Sequence, residues 1–467
     1  MRTEDYWKFL GDVARKTVKR LENMGAAQVE AFYLATRTTE TNIRNSEIFN
    51  ENTIEDMGVS FRVATSDKHV GFACTNVVNT EKAVFEAGEK AFTIAKLSPS
   101  VPDFTLPTKH KIPHVKGLFD KRVANADVEE TVDIAYRLIQ STENVDKRIT
   151  AKGGIASFSY IQKGLVNSFG IDFEAKETQA AVYVYGSGSQ GGEVTPSCGD
   201  LELKRSFDLN PEKIGKTVGE MIVAQFDPKP TSSFEGAVIF EPSAVSYQLF
   251  YAMMSALNGE NVVAGSSPWV GKLGKPVASE ILNAEDDGLL NEGFNSRNFD
   301  DEGFPSQKTA LISRGRLKNF LQDATTANRL KMANTGNASR SGSGLEMASQ
   351  IIGGGYKAKP KVFPSNLTIQ AGKKTRNELI SEVKKGVLVG DMGGFVQAGS
   401  GLISAQLVRA HYIENGELQY PIRGGMVSGI AFDWFKQIDV VGNDRKQFFN
   451  AVVPSLRVEG VKIIGSR

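Results

Sequence analysis

Two cysteines, four histidines and no long apolar run narrow what this 467-residue chain can be. Cys74 and Cys198 are too few for a disulfide framework. No stretch approaches the roughly 18 to 20 apolar residues that a membrane-spanning helix needs. The opening "MRTEDYWKFLGDVARKTVKR" is charged and lacks the apolar core of a signal peptide, so the expected location is the cytoplasm, with no membrane partner. Charge of one sign is not in excess either: 55 Lys and Arg face 54 acidic residues, a net charge of +1. A chain that grips phosphates shows a basic surplus, so direct nucleic-acid binding is not expected.

The scarce histidines bear on metal chemistry. His110 and His114 stand four apart, the spacing of a helical metal pair, but Pro107 and Pro113 argue against a helix there. His69 and His411 sit alone in strand patterns. A site with several imidazole ligands is hard to build from these four.

What is present is ordinary globular composition, 40% hydrophobic and 23% charged, on a chain long enough for several domains. Residues 4–24 read as an amphipathic helix ended by Gly25, followed by strand patterns in "VEAFYLAT", "ETNIRNSEI", "GVSFRVAT" and "HVGFAC" and a helix at about 80–97. "SPSVPDFTLPTKHKIP" holds four of the sixteen prolines and reads as a linker. A second unit has a helix at about 126–141, a strand meander and a helix opened by Asn210-Pro211. After "DPKPTSS" the chain is strand-rich, with a hairpin signal at Asn415-Gly416 and a capping box, Thr375 to Glu378, opening a helix that Gly386 would end. The expected class is α+β: mixed α/β domains at 1–100 and 101–232, then a larger antiparallel-sheet domain at 233–467.

Candidate motifs are weak taken singly. "GSGSQG" (186–191) matches a dinucleotide fingerprint, but the polar "GEVTPSCGD" that follows cannot open the required helix, and a hairpin loop fits better. The acidic pieces "AEDDG" (284–288) and "NFDDEGFP" (298–305) could together hold a hard cation, though neither has Ca²⁺-loop spacing. "GSSPW" (265–269) and "SGSGLE" (341–346) are not nucleophile elbows. "LFYAMMSALNGEN" (249–261) reads as a Met-rich core helix with no group to bind a metal or move a proton near neutral pH.

The order of longer pieces carries more. "GVSFRVATSDKHVGFACTN" before a helix, and then "SSPWVGKLGKPVASEIL", "NAEDDG", "FDDEGFPSQKTALISRGRLKNFLQD", "NTGNASR", "SNLTIQAG", "YIENGELQYPIRGG" and "VGND", resemble the TldD/PmbA family in sequence and separation. The resemblance covers nearly the whole chain and is best from about residue 235 onward. It implies metallopeptidase complexes of two related subunits. The TldD type carries His-Glu-x-x-x-His on a third-domain helix and a cysteine ligand near its C-terminus. The PmbA type, also called TldE, lacks them. The family's older label is modulator of DNA gyrase.

Laid on this sequence, the motif falls on "LFYAMMSALNGE". Phe250 stands at the first histidine, Tyr251 at the glutamate and Ser255 at the second histidine. Phenylalanine has no lone pair for Zn²⁺, and tyrosine is a poor base at neutral pH. Only nine residues, Arg445 to Val453, separate Asp444 from Pro454, and none is cysteine. The resemblance therefore implies a non-catalytic, TldE-type subunit that binds no cofactor itself. A TldD-type paralogue would supply zinc in a heterodimer, with extended peptide as substrate. The alternatives are a self-sufficient homodimeric metallopeptidase with a metal elsewhere, the acidic segments being the candidates, or a peptide-binding module.

Overall fold

The computed structural model describes residues 3–340 and 355–466; "SGSGLE" lies outside them. Helix α1 (Thr3–Asn23) precedes an antiparallel hairpin, β1 (Gln28–Arg44) and β2 (Glu47–Ala64). "VEAFYLAT" and the start of "ETNIRNSEI" form one 17-residue strand instead of two, because the turn falls later, at Asn45-Ser46. Both turn residues have positive φ, 48° and 67°, as a tight hairpin turn of matching twist requires. β3 (Val70–Thr75) and α2 (Glu81–Leu97), capped by Thr80, complete the first unit.

The second unit follows with α3 (Lys121–Ala124), α4 (Val128–Glu143), β4 (Ile149–Asn167), β5 (Asp172–Gln190), β6 (Glu193–Val194), β7 (Cys198–Lys204) and α5 (Pro211–Val223). Asp127 and Glu130 close a capping box on α4, and Asn210 caps α5 with Pro211 in its first turn. β1 pairs with β4 from Glu30↔Asn167 to Arg44↔Gly153, so the first two units share one sheet. Its order is β3-β2-β1-β4-β5-β6, with β7 on β5.

Strand alternation gives this sheet two unlike faces. Val29, Ala31, Tyr33, Val59, Phe61 and Val63 bury under α1 and α2. Ile43, Ala156, Phe158, Val182 and Val184 bury under α4 and α5. The opposite face carries Glu30, Arg62 and Lys163, which meet third-domain residues Arg340, Glu302 and Asp301.

The third domain begins with β8 (Phe234–Phe240). β8 pairs in parallel with Lys385–Gly393 and antiparallel with Leu456–Ile464. The latter joins Met426–Ile430, which joins Leu402–Glu414, which returns to Lys385–Gly393. The expected antiparallel sheet is thus a ring closed on itself with one parallel neighbour, and closure removes edges from those strands. A second, six-stranded sheet includes the parallel pair Leu367–Ile369 and Ala451–Val453. The Thr375/Glu378 capping box is formed, but its helix ends at Ser381, and Gly386 lies in the next strand. Gly386 approaches the Ala237 carbonyl too closely to admit a Cβ, which accounts for the glycine there. The fold is α+β. Among the described residues no helix is long and apolar enough to cross a membrane.

Candidate functional site

β8 runs into Glu241-Pro242, and the chain turns into the helical stretch picked out in the sequence. That stretch is not one helix. Val245–Leu249 form a π turn, closed by the Phe250 N–H to the Val245 carbonyl, and Phe250–Leu257 follow as α-helix. Asn258 then leaves helical geometry (ψ 121°) and caps a second short helix, accepting from Glu260 N–H at 2.7 Å and Asn261 N–H at 3.4 Å. Gly259 is needed where the chain approaches Leu321: a Cβ there would lie 2.5 Å from the Leu321 carbonyl oxygen. A π turn is costly and is found disproportionately at functional sites.

Ala252, Met253, Ala256 and Leu257 are fully buried, in one core with Phe240, Trp269 and Phe435. Phe250 is 7% exposed, while Tyr251 and Ser255 are half-buried. Burial raises the Tyr251 phenol above its ordinary value, further from any role as a base at neutral pH. The Ser255 hydroxyl accepts from Asn261 Nδ2 at 3.2 Å. Carbon, phenol and hydroxyl at these three positions fit no zinc ion.

The segment between Asp444 and Pro454 folds as a small hairpin, Lys446–Phe448 with Ala451–Val453. It packs against the π turn. Tyr247, Tyr251, Met254, Phe448, Phe449 and Asn450 enclose a cleft of about 80 Å³ between the two. The structure thus brings together the two stretches, far apart in sequence, where the resemblance leads one to look for metal ligands. Both present mainly aromatic side chains to the same small space.

The polar groups at the base of the helix are paired. Glu241 accepts from Arg376 Nε and Arg409 Nη1, each at 2.6 Å. Burial opposes its ionisation, but the two guanidinium groups outweigh burial and hold its pKa below the ordinary value. His411 Nε2 donates to the Ala224 carbonyl oxygen at 2.8 Å, and burial lowers the His411 pKa. His69 Nδ1 likewise sits 2.6 Å from the Ser98 carbonyl, and His110 and His114 lie in irregular chain.

The acidic segments are engaged one carboxylate at a time. Asp286 accepts from Asn337 and Ser365, both at 2.7 Å. Asp300 accepts backbone N–H groups from Glu302, Phe304 and Ala338. Glu302 meets Arg62 at 2.7 Å, and Asp301 accepts the Arg340 N–H at 2.8 Å. Among the described residues no group of three or more His, Cys, Asp or Glu is arranged to hold a metal ion. "GSGSQG" ends β5 and turns through Gly191 and Gly192, both at positive φ, into β6, a hairpin as expected. Ser267 of "GSSPW" donates to the Ala256 carbonyl at 2.6 Å, which ties its loop to the helix.

Sequence reasoning missed the buried ion-pair chain between the sheet and the third domain. Arg62 and Arg340 both reach Glu30, and Lys163 and Arg205 share Glu177. Its signal was present in part: Glu30 lies between Val29 and Ala31, and Arg62 between Phe61 and Val63, charges set among apolar neighbours.

Models of the PmbA/TldA metallopeptidase family match along the chain: domain 1 at residues 29–95, the central domain at 121–226 and the C-terminal domain at 234–465. An uncharacterized protein of Methanocaldococcus jannaschii is 30% identical over 407 residues, 86% of this chain and 88% of that one. Metalloprotease PmbA of Escherichia coli O157:H7 is 26% identical over 345 residues, 73% and 71% of the two chains. The crystal structure of TldE from Thermococcus kodakarensis superposes with a TM-score of 0.86 at 24% identity, over 97% of this chain and all of that one. With all three domains matched in order, this chain belongs to the PmbA/TldA metallopeptidase family.

Proposed function

We propose that this chain is a non-catalytic, TldE-type subunit of a cytoplasmic peptidase complex. In this reading a TldD-type paralogue contributes the zinc ion and the base, and this chain walls the chamber in which extended peptide is cut. The observation that carries it is the cleft between the helix at 250–257 and the hairpin at 446–453. Phe250, Tyr251, Phe448 and Phe449 line it. None of them is a usual zinc ligand or a base at neutral pH, and burial raises the pKa of the one phenol, Tyr251. A closed dimer with such a partner would bury more than about 2,000 Å² in total.

The test is to express the chain alone and together with a paralogue from the same organism that bears His-Glu-x-x-x-His. Alone it should hold no stoichiometric zinc and cleave no fluorogenic peptide. The pair should co-purify and cleave an unstructured peptide faster than the paralogue alone, sparing a folded protein of similar composition. Chelator-sensitive cleavage by the chain alone, or no gain on mixing, overturns the reading.

A further inference from the structure

β2 is paired along its whole inner side with β1, but on its outer side β3 covers only Val59–Ala64. From Glu47 to Gly58 no strand of the described residues pairs with the outer side. Among the described residues this is an open sheet edge more than ten residues long, with Glu47, Phe49, Asn50, Glu51, Thr53 and Glu55 exposed. Every second residue along such an edge turns its N–H and C=O outward, ready to pair with an incoming strand.

The charge on this edge has one sign. Between Asn45 and Phe61 the chain carries Glu47, Glu51, Glu55 and Asp56 and no Lys or Arg. Asp56 is taken up by the Tyr356 hydroxyl at 2.9 Å and by Lys357. Glu47 and Glu51 have no cationic partner among the described residues, and Glu55 has only Arg37 at 4.0 Å. One strand inward, opposite Asn52, Glu40 is 5% exposed and its Oε2 has no hydrogen-bond partner. On the same inner strand Arg44 and Arg37 stand opposite Glu47 and Glu55, so the least compensated charge on the edge is at Glu51, opposite Thr41.

A second copy of the chain is the poorer occupant: in any register it brings four more carboxylates, Glu47, Glu51, Glu55 and Asp56, to this edge, and antiparallel self-pairing about Thr53 would set Glu51 directly opposite Glu55. The complementary occupant is an extended segment with Lys or Arg at alternate or every fourth position. The rank Asn50, Asn42, Ile155, Tyr183 crosses the sheet from this edge toward β5, three strand spacings or about 14 Å. A strand on the edge would therefore extend the same sheet that packs against the third domain.

We propose that the outer edge of β2, Glu47 to Gly58, captures basic, extended peptide segments by strand addition. The proposal rests on the peptide-handling function above and adds a preference for the charge of the substrate.

The test uses the full chain and two labelled peptides of about twelve residues, long enough to span the edge. One alternates Thr and Val with Lys at every fourth position; the other has Glu at those positions. By fluorescence anisotropy the Lys peptide should bind about tenfold more tightly than the Glu peptide at low salt. The difference should shrink severalfold at about 0.5 M salt. The double variant Glu51→Lys/Glu55→Lys, at two exposed positions, should keep its thermal transition and reverse the preference. Prolines at Asn52 and Thr53, one at a time, test the backbone part. One of two consecutive N–H groups faces outward, and that variant should stay folded and lose binding. No binding, equal binding of both peptides, an unreversed preference, or two folded proline variants that bind normally each overturn the proposal. Cleavage by the complex with the paralogue separates the two readings. An active complex whose edge binds nothing refutes only the edge; an inactive complex refutes the function on which it rests.

Discussion

Replacing Arg62 with methionine should test how the sheet is held to the third domain. Arg62 donates from Nε and Nη2 to Glu30, at 3.0 and 2.6 Å, and from Nη1 to Glu302 at 2.7 Å. All three side chains are buried, at 6% exposure or less. Glu30 would keep Arg340, but Glu302 would keep only the Ala324 N–H at 3.0 Å and the more distant charge of Arg340, with no cation in contact. Methionine fills much of the volume of the arginine stem, so the cavity term is small and the orphaned carboxylate dominates. Breaking a buried pair in this way costs about 3–5 kcal/mol. The cost should depend on pH. Burial already raises the Glu302 pKa, Asp323, Asp300 and Glu30 add to the rise, and Arg62 opposes it. Without Arg62 the folded-state pKa climbs further above the unfolded value. The native state then holds a proton that the unfolded chain releases, so stability falls as pH rises from near the unfolded pKa through the folded one. Urea denaturation followed by tryptophan fluorescence reads both regions, because Trp7 lies in the first unit and Trp269 and Trp434 in the third domain. The loss should be smaller near pH 6, where Glu302 holds its proton with or without Arg62, and largest near pH 9, above the pKa of about 8 to which Glu302 is already raised beside Arg62. Adding Glu302→Gln should recover part of it. A loss below about 1 kcal/mol at pH 9, or the same loss at both pH values, would refute the reasoning.

The triple change Phe250→His, Tyr251→Glu, Ser255→His should not create a peptidase. It supplies no third protein ligand, and residues five apart lie roughly 140° apart around a helix. It should lower stability by about 2–5 kcal/mol through loss of the Phe250 packing and burial of polar groups; a stable, active triple variant sinks the argument. The two thiols should react at very different rates with a disulfide reagent. Cys74 is exposed, whereas Cys198 is buried and burial pushes its pKa up to about 11. One equivalent should react fast in the native protein and two in denaturant; two fast equivalents in the native protein would contradict the burial.

The sequence made some of this legible because the physics was local. The Thr375/Glu378 capping box, the helix start at Asn210-Pro211 and the Asn415-Gly416 hairpin follow from neighbours a few residues apart, and all are formed. The π turn at 245–249 has no such signal, since no Pro or Gly interrupts "VSYQL" and the distortion belongs to its packing. The join of the first two units was hidden behind the proline-rich linker. Strand pairing between β1 and β4 spans more than a hundred residues, and no local pattern reports it. Barrel closure was hidden for the same reason. The parallel pairing of β8 with Lys385–Gly393 depends on chain ends about 150 residues apart.

Closure has a functional consequence for where a peptide can add. An open third-domain sheet would have offered its own edge to an extended substrate, close to the helix at 250–257. The ring formed by β8 and its neighbours leaves less edge of that kind, and among the described residues a long free edge belongs to β2 in the other sheet. Capture and cutting would then involve different domains, joined by the buried ion pairs of Glu30, Arg62, Glu302 and Arg340. That separation ties the first experiment to the others. If the ion pairs hold the capturing sheet in register with the chamber, Arg62→Met should slow cleavage in the complex with the paralogue more than it weakens binding of the Lys peptide. Equal effects on both would mean that the pairs serve stability alone.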